Sequence, residues 1–266
     1  MTFSYTQISQ FLACPRRYRY QYLEGWQEKE LRASMLFGRA FEKAVAAYFL
    51  GQDGGDQLHR EWSAVREMKE VNYGRDSWGN MLQDGTKLLE LFANQNRVRI
   101  LEPERHLQIK VQRRLDARND FLGFVAALGQ LDGQRCLIDW KTTSSCYPEN
   151  PSGLTALDPQ LICYSWLTGI SEVALVVFVR KRLPEIQYLK ATITETQRQD
   201  FFQMVRAAVA QIERAEFFPH PGIRFPQNQC TSCPFAGLCL EDQALAGQAL
   251  KRREGVNLGW LDELCA

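Results

Sequence analysis

Residues 124–144 read FVAALGQLDGQRCLIDWKTTS, and this stretch decides the fold. It predicts two strands joined at Asp132-Gly133, because an Asp-Gly pair between apolar runs is typical of a tight β-hairpin. Residues two positions apart on a strand point to the same side. Asp139 and Lys141 therefore share one face of the second strand, in a run that is otherwise apolar, while Trp140 points to the other face.

The composition of the 266 residues sets wide limits on function. A net charge of +1 excludes a polycation, although clusters of Arg and Lys leave a phosphate-binding groove open. No apolar run is long enough to span a membrane, and the first residues lack the features of a signal peptide. We therefore expect a cytoplasmic protein with no membrane partner. Eight cysteines in a reducing compartment indicate metal binding or catalysis rather than disulfides.

The spacing of apolar residues predicts the other elements. A capping box over Ser4–Gln7 opens a helix that stops near Cys14-Pro15, and a short helix follows to Gly25. The other predicted helices cover 34–49, 57–72, 78–97, 157–168 and 194–215, with one more near the C-terminus; the predicted strands cover 107–111, 121–128, 135–140, 173–179 and 187–193.

Two further motifs flank the predicted hairpin. Downstream, Gln160 and Tyr164 are four residues apart on a helix and therefore share a face. Upstream, Gly38-Arg-Ala-Phe-Glu42 lies in a helix, where the glycine allows close packing and Glu42 supplies a carboxylate in a largely apolar segment.

This ordered set resembles the PD-(D/E)xK nuclease superfamily and, within it, the RecB-like exonucleases. The segments that carry the resemblance are Ser4–Tyr18, Gly38–Glu42, Gly123–Ala126, Asp139–Thr142, Gln160–Tyr164 and the C-terminal cysteines. The resemblance implies an α/β restriction-endonuclease-like core in the order helix, three antiparallel strands, helix, strand. It also implies a helical insert and a C-terminal region stapled by an iron–sulfur cluster.

The domain organisation that follows is a single nuclease domain over residues 1–266. The catalytic core is expected over 34–50 and 101–193, with the helical insert over 51–100. The region of the cluster is expected to combine 1–25 with 216–250.

The resemblance implies a metal site on the predicted hairpin. Hydrolysis of a phosphodiester needs divalent cations to neutralise charge and activate water, and Mg²⁺ or Mn²⁺ prefers oxygen ligands. By resemblance, Asp139 is a metal ligand and the backbone carbonyl of Trp140 is a second candidate. Glu42 is a third, at a position where many relatives carry histidine.

Three other residues acquire catalytic roles by the same resemblance. Lys141 would position the attacking water or stabilise developing charge. Gln160 and Tyr164 match the pair that orients the site or contacts DNA in the family.

One position departs from the family pattern. Relatives carry a metal-bridging aspartate in a Gly-x-x-Asp motif, which here reads Gly123-Phe-Val-Ala126, and alanine cannot bind metal. Three explanations are open: an engineered substitution, a natural loss of activity, or compensation by a nearby acid such as Asp132 or Glu104.

The cysteine spacing predicts a metal centre of its own. Cys230, Cys233 and Cys239 form a C-x₂-C-x₅-C motif, and Cys14 is the candidate fourth ligand because it shares the Cys-Pro context. Spacing alone does not distinguish zinc from iron–sulfur. By resemblance to AddB-type and CRISPR-associated nucleases, the four thiolates hold a 4Fe–4S cluster.

The remaining cysteines and one basic stretch receive weaker assignments. Cys136, Cys146, Cys163 and Cys265 are interpreted as core or surface thiols. Arg16, Arg17 and Arg19 alternate with tyrosines, a pattern that suits DNA binding and equally suits a helix packed beside the cluster.

The resulting prediction is a Mg²⁺- or Mn²⁺-dependent DNA exonuclease, inactivated in this chain by Ala126. The resemblance places it in DNA repair or CRISPR adaptation, beside a helicase or a CRISPR integrase subunit. A catalytically inactive iron–sulfur DNA-binding subunit is the alternative, and a zinc-stapled structural subunit is a third possibility.

Overall fold

The structure, a computed structural model, describes residues 1–151, 153–220 and 229–253. No helix in these ranges has the length and apolar character needed to cross a membrane.

Ten α-helices are present in the described ranges. They are α1 Tyr5–Ala13, α2 Pro15–Tyr18, α3 Ala33–Phe49, α4 Gly54–Arg66, α5 Trp78–Gln95, α6 Pro103–His106, α7 Pro159–Thr168, α8 Glu195–Glu213, α9 Ala236–Cys239 and α10 Gln243–Ala249. A π-helical turn, Arg19–Leu23, continues α2, and 3₁₀ turns cover Leu154–Leu157 and Gln229–Ser232.

Eleven strands are present in the same ranges. They are β1 Thr2–Ser4, β2 Trp26–Glu28, β3 Leu31–Arg32, β4 Val71–Asn72, β5 Val98–Arg99, β6 Leu107–Arg114, β7 Asp120–Leu131, β8 Gln134–Thr143, β9 Glu172–Val179, β10 Glu185–Thr192 and β11 Leu250–Arg252.

The chain divides into two compact units. The terminal unit combines Met1–Glu30, Arg113–Leu122 and the described part of Phe202–Ala266, and the central unit combines Leu31–Gln112 with Gly123–Phe201. The predicted core and insert fall mainly in the central unit, and the predicted region of the cluster falls in the terminal unit.

The predicted hairpin is confirmed and its strands are longer than expected. Asp132 and Gly133 both adopt positive φ angles, of 51° and 81°, as a type I′ turn requires. The turn joins Leu131 to Gln134, which face each other at the end of the antiparallel ladder. This turn fixes the register of the whole hairpin, because a slip of one residue would turn every side chain to the opposite face.

The central unit is built on a mixed sheet. β7 and β8 are antiparallel, β8 and β9 are parallel, and β9 and β10 are antiparallel. The parallel pair requires a crossover, which α7 supplies between β8 and β9. The order helix, three strands, helix, strand agrees with the mixed α/β fold that the resemblance implies.

Apolar side chains form two cores in the central unit. The first core contains residues of α3, α4 and α5 together with Ile138, Trp140 and Phe178. The second core contains residues of α7 together with Leu137, Leu175 and Val177. Neighbouring residues of β8 thus belong to different cores, as expected for a strand buried on both faces.

The terminal unit contains a short strand that the sequence analysis missed. β1 pairs in parallel with the first residues of β7, placing Phe3 opposite Phe121. The capping box that follows is confirmed, since Gln7 N donates to Ser4 Oγ and Ser4 N donates to Gln7 Oε1, at 3.4 and 3.1 Å.

The predicted helix over 57–72 is wrong at its C-terminal end. α4 stops at Arg66, and Val71 and Asn72 form a strand parallel to Leu31 and Arg32. Leu31 N also donates a hydrogen bond of 2.7 Å to the carbonyl of Glu70. The pairing with a distant segment overrides local helix propensity, which is a weak determinant near a helix end.

The Gly129→Ala substitution is expected to destabilise the central unit by about 1–3 kcal/mol, the usual cost of overpacking. A Cβ there would lie 2.8 Å from the backbone oxygen of Arg99, so β5 would have to move away from β7. Urea unfolding would measure the change. Gly38→Ala is the control, because a Cβ at Gly38 meets only Thr142 Oγ1 at 3.5 Å, an ordinary contact.

The sequence analysis expected Gly38 to allow close packing of its helix, and this expectation is wrong, because a Cβ at Gly38 would make only an ordinary contact. Alanine in the middle of α3 should be neutral or stabilise by up to about 1 kcal/mol. Equal losses in both variants would contradict this account.

Candidate active site

Asp139 and Lys141 lie near the C-terminal end of β8. They share a face, as predicted, and they form an ion pair with 2.7 Å between Lys141 Nζ and Asp139 Oδ2. Trp140 lies on the opposite face, where its ring stacks on Phe49 with centroids 5.9 Å apart. The tryptophan anchors the strand in the first core and thereby fixes the direction of its two charged neighbours.

A chain of hydrogen bonds connects β8 to α7. Lys141 Nζ donates to Gln160 Oε1 at 2.6 Å, and Gln160 Nε2 donates to the Tyr164 hydroxyl at 2.6 Å. The Tyr164 hydroxyl donates in turn to Asp139 Oδ1 at 3.4 Å. The structure therefore joins a pair of residues on β8 to a pair on α7 and closes the four side chains into a ring of contacts.

Asp158, the N-cap of α7, places Gln160 and Tyr164 in this ring. Its Oδ1 accepts hydrogen bonds from Gln160 N and Leu161 N, at 2.8 and 3.1 Å, and Pro159 fills the first helical position. An acidic N-cap followed by proline is a strong helix start. The start of α7 is therefore fixed, and this fixes the position of Gln160 relative to Lys141 on β8.

Burial shifts the protonation of the acids in the site. It raises the pKa of Asp139, with Lys141 opposing the shift. For Lys141, burial alone would lower the pKa, but the contact with Asp139 raises it overall. Burial and the negative charge of Asp139 raise the pKa of the Tyr164 hydroxyl well above its ordinary value. Lys141 therefore carries a positive charge and Tyr164 a proton at neutral pH.

Glu42 extends the site from α3. Burial, followed by repulsion from Asp139, raises the pKa of Glu42 to about 7, while Lys141 and Arg39 pull it down. The three groups are thus within electrostatic reach of one another, although they come from α3 and β8. The predicted grouping of Glu42 with the Asp139–Lys141 pair agrees with these interactions.

The Glu42→Gln variant is expected to be more stable than the parent in metal-free buffer at pH 8, by at most about 3 kcal/mol. The pKa of Glu42 is higher in the folded chain than in the unfolded chain, so ionisation costs folding stability as the pH rises from about 4.5 through 7. Thermal unfolding at pH 4 and pH 8 would measure the effect, which should vanish at pH 4.

Glu90→Gln on α5 is the matched control, because this side chain is exposed. An equal gain from Glu42→Gln at both pH values would contradict the assignment of a buried, titrating carboxyl.

β7 is irregular at the position of the missing aspartate. Val125 packs with Leu137 in the second core, whereas Ala127 packs with Ile138 in the first core. Two residues that would share a face in a regular strand therefore lie on opposite faces. The regular alternation of faces along β7 is therefore broken at Ala126.

The two strands also separate here. Among the described residues, the ladder between β7 and β8 ends at Ala127 and Ile138, so the backbone of Asp139 is paired only towards β9. Ala126 is buried and packs in the first core. Ala126 and Asp139 are the residues next to the last pair of this ladder, one on each strand.

Neither acid considered as a substitute for the missing aspartate fits this position. Asp132 lies six residues along β7 from Ala126, roughly 20 Å at about 3.3 Å per residue. Its carboxylate is paired with Arg97 and Lys190, each at 2.6 Å. Glu104 is exposed on α6. Compensation by these two acids is therefore not supported.

Two residues near the site were missed by the sequence analysis. Asp158 interacts electrostatically with Asp139 and Lys141, and so does Tyr147. The Asp-Pro pair before Gln160 could have identified Asp158 as a helix cap. No local signal distinguishes Tyr147, because its position depends on a strand forty residues away.

In the terminal unit, the four predicted cluster ligands line one cavity of about 350 Å³. Cys14, Cys230, Cys233 and Cys239 surround it together with Arg17, and the charges of the thiols influence one another. Burial raises the pKa of Cys230, Cys233 and Cys239. In the described ranges, no three His, Cys, Asp or Glu side chains stand at the spacing of a bound ion.

The other cysteines behave as interpreted where the structure describes them. Cys136 and Cys163 are buried and Cys146 is exposed, and Cys265 lies outside the described residues. Burial raises the pKa of Cys136 to about 11. Burial also raises the pKa of Cys163, so Cys136 and Cys163 are neutral and fill space in the central unit as small apolar groups.

The basic stretch after Cys14 packs within the terminal unit. Arg17 pairs with Glu28 at 3.1 Å, and Arg19 pairs with Glu24 at 2.7 Å. Tyr18 and Tyr22 of this stretch are buried, with 5.0 Å between their ring centroids. This favours the packing interpretation for the tyrosines, and contact of Arg16, Arg17 and Arg19 with DNA stays a prediction.

Comparison with solved structures supports the fold. A crystal structure from Eubacterium rectale, described provisionally as an exonuclease, aligns with a TM-score of 0.52 at 11% identity over 98% of this chain and 92% of that chain. The crystal structure of SSO0001 aligns over 81% of this chain and 88% of that chain, at 14% identity and a TM-score of 0.36, on which no conclusion rests. No curated protein matches the sequence.

The family comparison is decisive. The sequence profile described as the PD-(D/E)XK nuclease superfamily matches residues 2–240, which includes β1, the hairpin, α7 and all four cavity cysteines. The chain belongs to the PD-(D/E)XK nuclease superfamily.

Proposed function

We propose that this chain is a RecB-like DNA exonuclease whose Mg²⁺- or Mn²⁺-dependent site is incomplete at Ala126, so that it binds DNA without cutting it. The observation that carries the proposal is the closed ring of Asp139, Lys141, Gln160 and Tyr164, with Glu42 beside it, in a nuclease fold. The test is degradation of end-labelled DNA with Mn²⁺ before and after Ala126→Asp.

The side chains present fit one divalent cation. Asp139 Oδ2 is buried and lies 2.7 Å from Lys141 Nζ, so the carboxylate is a charged oxygen ligand that a hard cation could use. Mg²⁺ commonly uses one or two carboxylates and completes its shell with waters and substrate phosphate. Asp139 and Glu42 would hold it, with the Trp140 carbonyl as a further candidate. Position 126 contributes no oxygen, so a second ion lacks its bridging ligand.

A bound cation supplies charge neutralisation at the phosphate and lowers the pKa of the attacking water. The other roles fall to the chain itself. Lys141 presents its charge beside Asp139, and Gln160 holds the ammonium in that position. The Tyr164 hydroxyl stays protonated and donates a hydrogen bond to Asp139, which orients the carboxylate. We propose that these contacts preorganise the site for a phosphodiester.

A second candidate function rests on the same alanine. If position 126 is a natural loss, the chain acts as an inactive DNA-binding subunit stapled by its cluster. This alternative is supported by the burial of Ala126 among the apolar residues of the first core. Binding of DNA with no cleavage in every variant would support it.

The cavity in the terminal unit is proposed to hold a 4Fe–4S cluster. Four thiolates around one space suit a cubane cluster, and the same set suits zinc. The thiols would close inwards as the group binds, because they do not stand at ligand spacing without it. The cluster would join Cys14 to the C-terminal motif and so constrain a long loop.

The cellular setting remains part of the proposal. RecB-like nucleases serve DNA repair or CRISPR adaptation, and a helicase or a CRISPR integrase subunit is the expected protein partner. A cytoplasmic location follows from this setting.

A further inference from the structure

The loop after β8 contains one aromatic residue that turns inwards. Over residues 144–151 every described side chain is exposed except Tyr147, whose ring packs against the second core. The same core contains Tyr164, one of the four residues of the ring of contacts. This tyrosine is half-buried because a residue on β10, Gln187, binds its backbone.

Gln187 holds the loop in place. It is only 6% exposed, and burying an amide is costly unless its hydrogen bonds are made. Gln187 Oε1 accepts from Tyr147 N at 2.7 Å, and its Nε2 donates to the Tyr147 carbonyl at 3.1 Å and to Glu149 Oε1 at 2.8 Å. All three of these hydrogen bonds join the buried Gln187 side chain to the loop.

The sheet register places Gln187 and the loop that it binds near Lys141. Gln187 faces Val177 in the ladder of β10 with β9, and Val177 faces Lys141 in the ladder of β9 with β8. Residues in one row across a sheet share a face, and strands are about 4.8 Å apart. Gln187 is therefore about 10 Å from Lys141 on the same face, and the Tyr147 ring packs against the second core, which contains Val177 of the same row.

The electrostatic interactions of Tyr147 point in the same direction. Burial raises the pKa of its phenol, while Lys141, Asp158 and Asp139 all contribute to the shift. The Tyr147 side chain is therefore close to the candidate active site, and part of the residue remains exposed.

We infer that Tyr147 is a wall of the DNA site, on which the terminal nucleobase stacks while its phosphate meets Asp139 and Lys141. Gln187 is the positioning residue, because its hydrogen bonds to the Tyr147 backbone fix the place of the ring. Base–aromatic stacking is tolerant of sequence, as an enzyme acting on DNA ends requires. This inference rests on the proposed function and names the part of the substrate that the site contacts.

The test uses the anaerobically purified chain, Ca²⁺ and single-stranded oligonucleotides with 2-aminopurine at the 3′ or the 5′ terminal position. Binding to the parent should quench one of the two probes. Tyr147→Leu keeps an apolar side chain against the second core but removes the ring, so it should abolish the quenching and weaken binding about tenfold, or ~1.4 kcal/mol. Tyr147→Phe should retain both signals.

Gln187→Leu should reproduce Tyr147→Leu, since it frees the loop without leaving a cavity. Pro148→Ala changes an exposed neighbour in the same loop and should have no effect. Undiminished quenching in Tyr147→Leu, or loss of quenching in Tyr147→Phe, would overturn the inference. A parent chain that binds neither oligonucleotide contradicts the proposed function itself, and this outcome is visible before any variant is made.

Discussion

The Ala126→Asp variant should degrade end-labelled DNA in Mn²⁺ at least about 10³-fold faster than the parent chain, a gain of ~4 kcal/mol in the barrier. The substitution places a carboxylate one residue beyond the last pair of the β7–β8 ladder, where Asp139 is the corresponding residue of β8. A metal bound by both acids would then be fixed at the end of the ring of contacts. Release of labelled nucleotides over time measures the rate.

Two controls separate chemistry from folding. Adding Lys141→Ala to Ala126→Asp should return the rate to that of the parent, because the charge beside Asp139 is lost. Ala126→Asn carries a side chain of the same size without the negative charge and should remain inactive. If all variants bind DNA with equal affinity and none cuts it, the catalytic assignments fail and the inactive-subunit function stands.

The second large effect is expected in the terminal unit. Cys14→Ser should abolish the iron and acid-labile sulfide of anaerobically purified protein, and its broad absorbance in the blue. It should also lower the melting temperature by about 10 °C or more, because three thiolates leave the centre open and the binding energy of such a group is folding energy. Metal analysis and thermal unfolding measure the two effects.

Cys146→Ser is the matched control for this experiment. This thiol is exposed on a loop of the central unit, so its loss should alter neither the cluster nor the melting temperature. Zinc without sulfide in the parent would replace the iron–sulfur proposal by a zinc site. Unchanged iron content in Cys14→Ser would remove Cys14 from the ligand set.

Local chemistry made much of the central unit predictable. The Asp-Gly turn fixes the hairpin register, and the alternation of Asp139, Trp140 and Lys141 follows from the pleat alone. The i, i+4 spacing of Gln160 and Tyr164 likewise predicts a common face, which their hydrogen bond displays. These features depend on a few neighbouring residues, and sequence patterns report them well.

Features that depend on distant pairing were not predictable. The strand at Val71 forms because it pairs with Leu31. Tyr147 is held near Lys141 because Gln187, which binds its backbone, lies two strands from Lys141 in the same row of the sheet. The break in the alternation of faces at Ala126 is visible only when the packing partners of Val125 and Ala127 are known. In each case the sequence specifies the residues, and the register of another strand decides what they contact.

The composition of the terminal unit bears on the order in which the protein can be made. This unit combines the first segment of the chain, a middle strand segment and the last described segment. Domains generally fold from the N-terminus during synthesis. The proposed cluster needs Cys14 together with Cys230, Cys233 and Cys239, so it would assemble only after the last of them has left the ribosome. The residues of the central unit all precede Cys230 and would by then have been synthesised. Loading of the proposed cofactor would therefore be a late step, separate from the folding of the central unit.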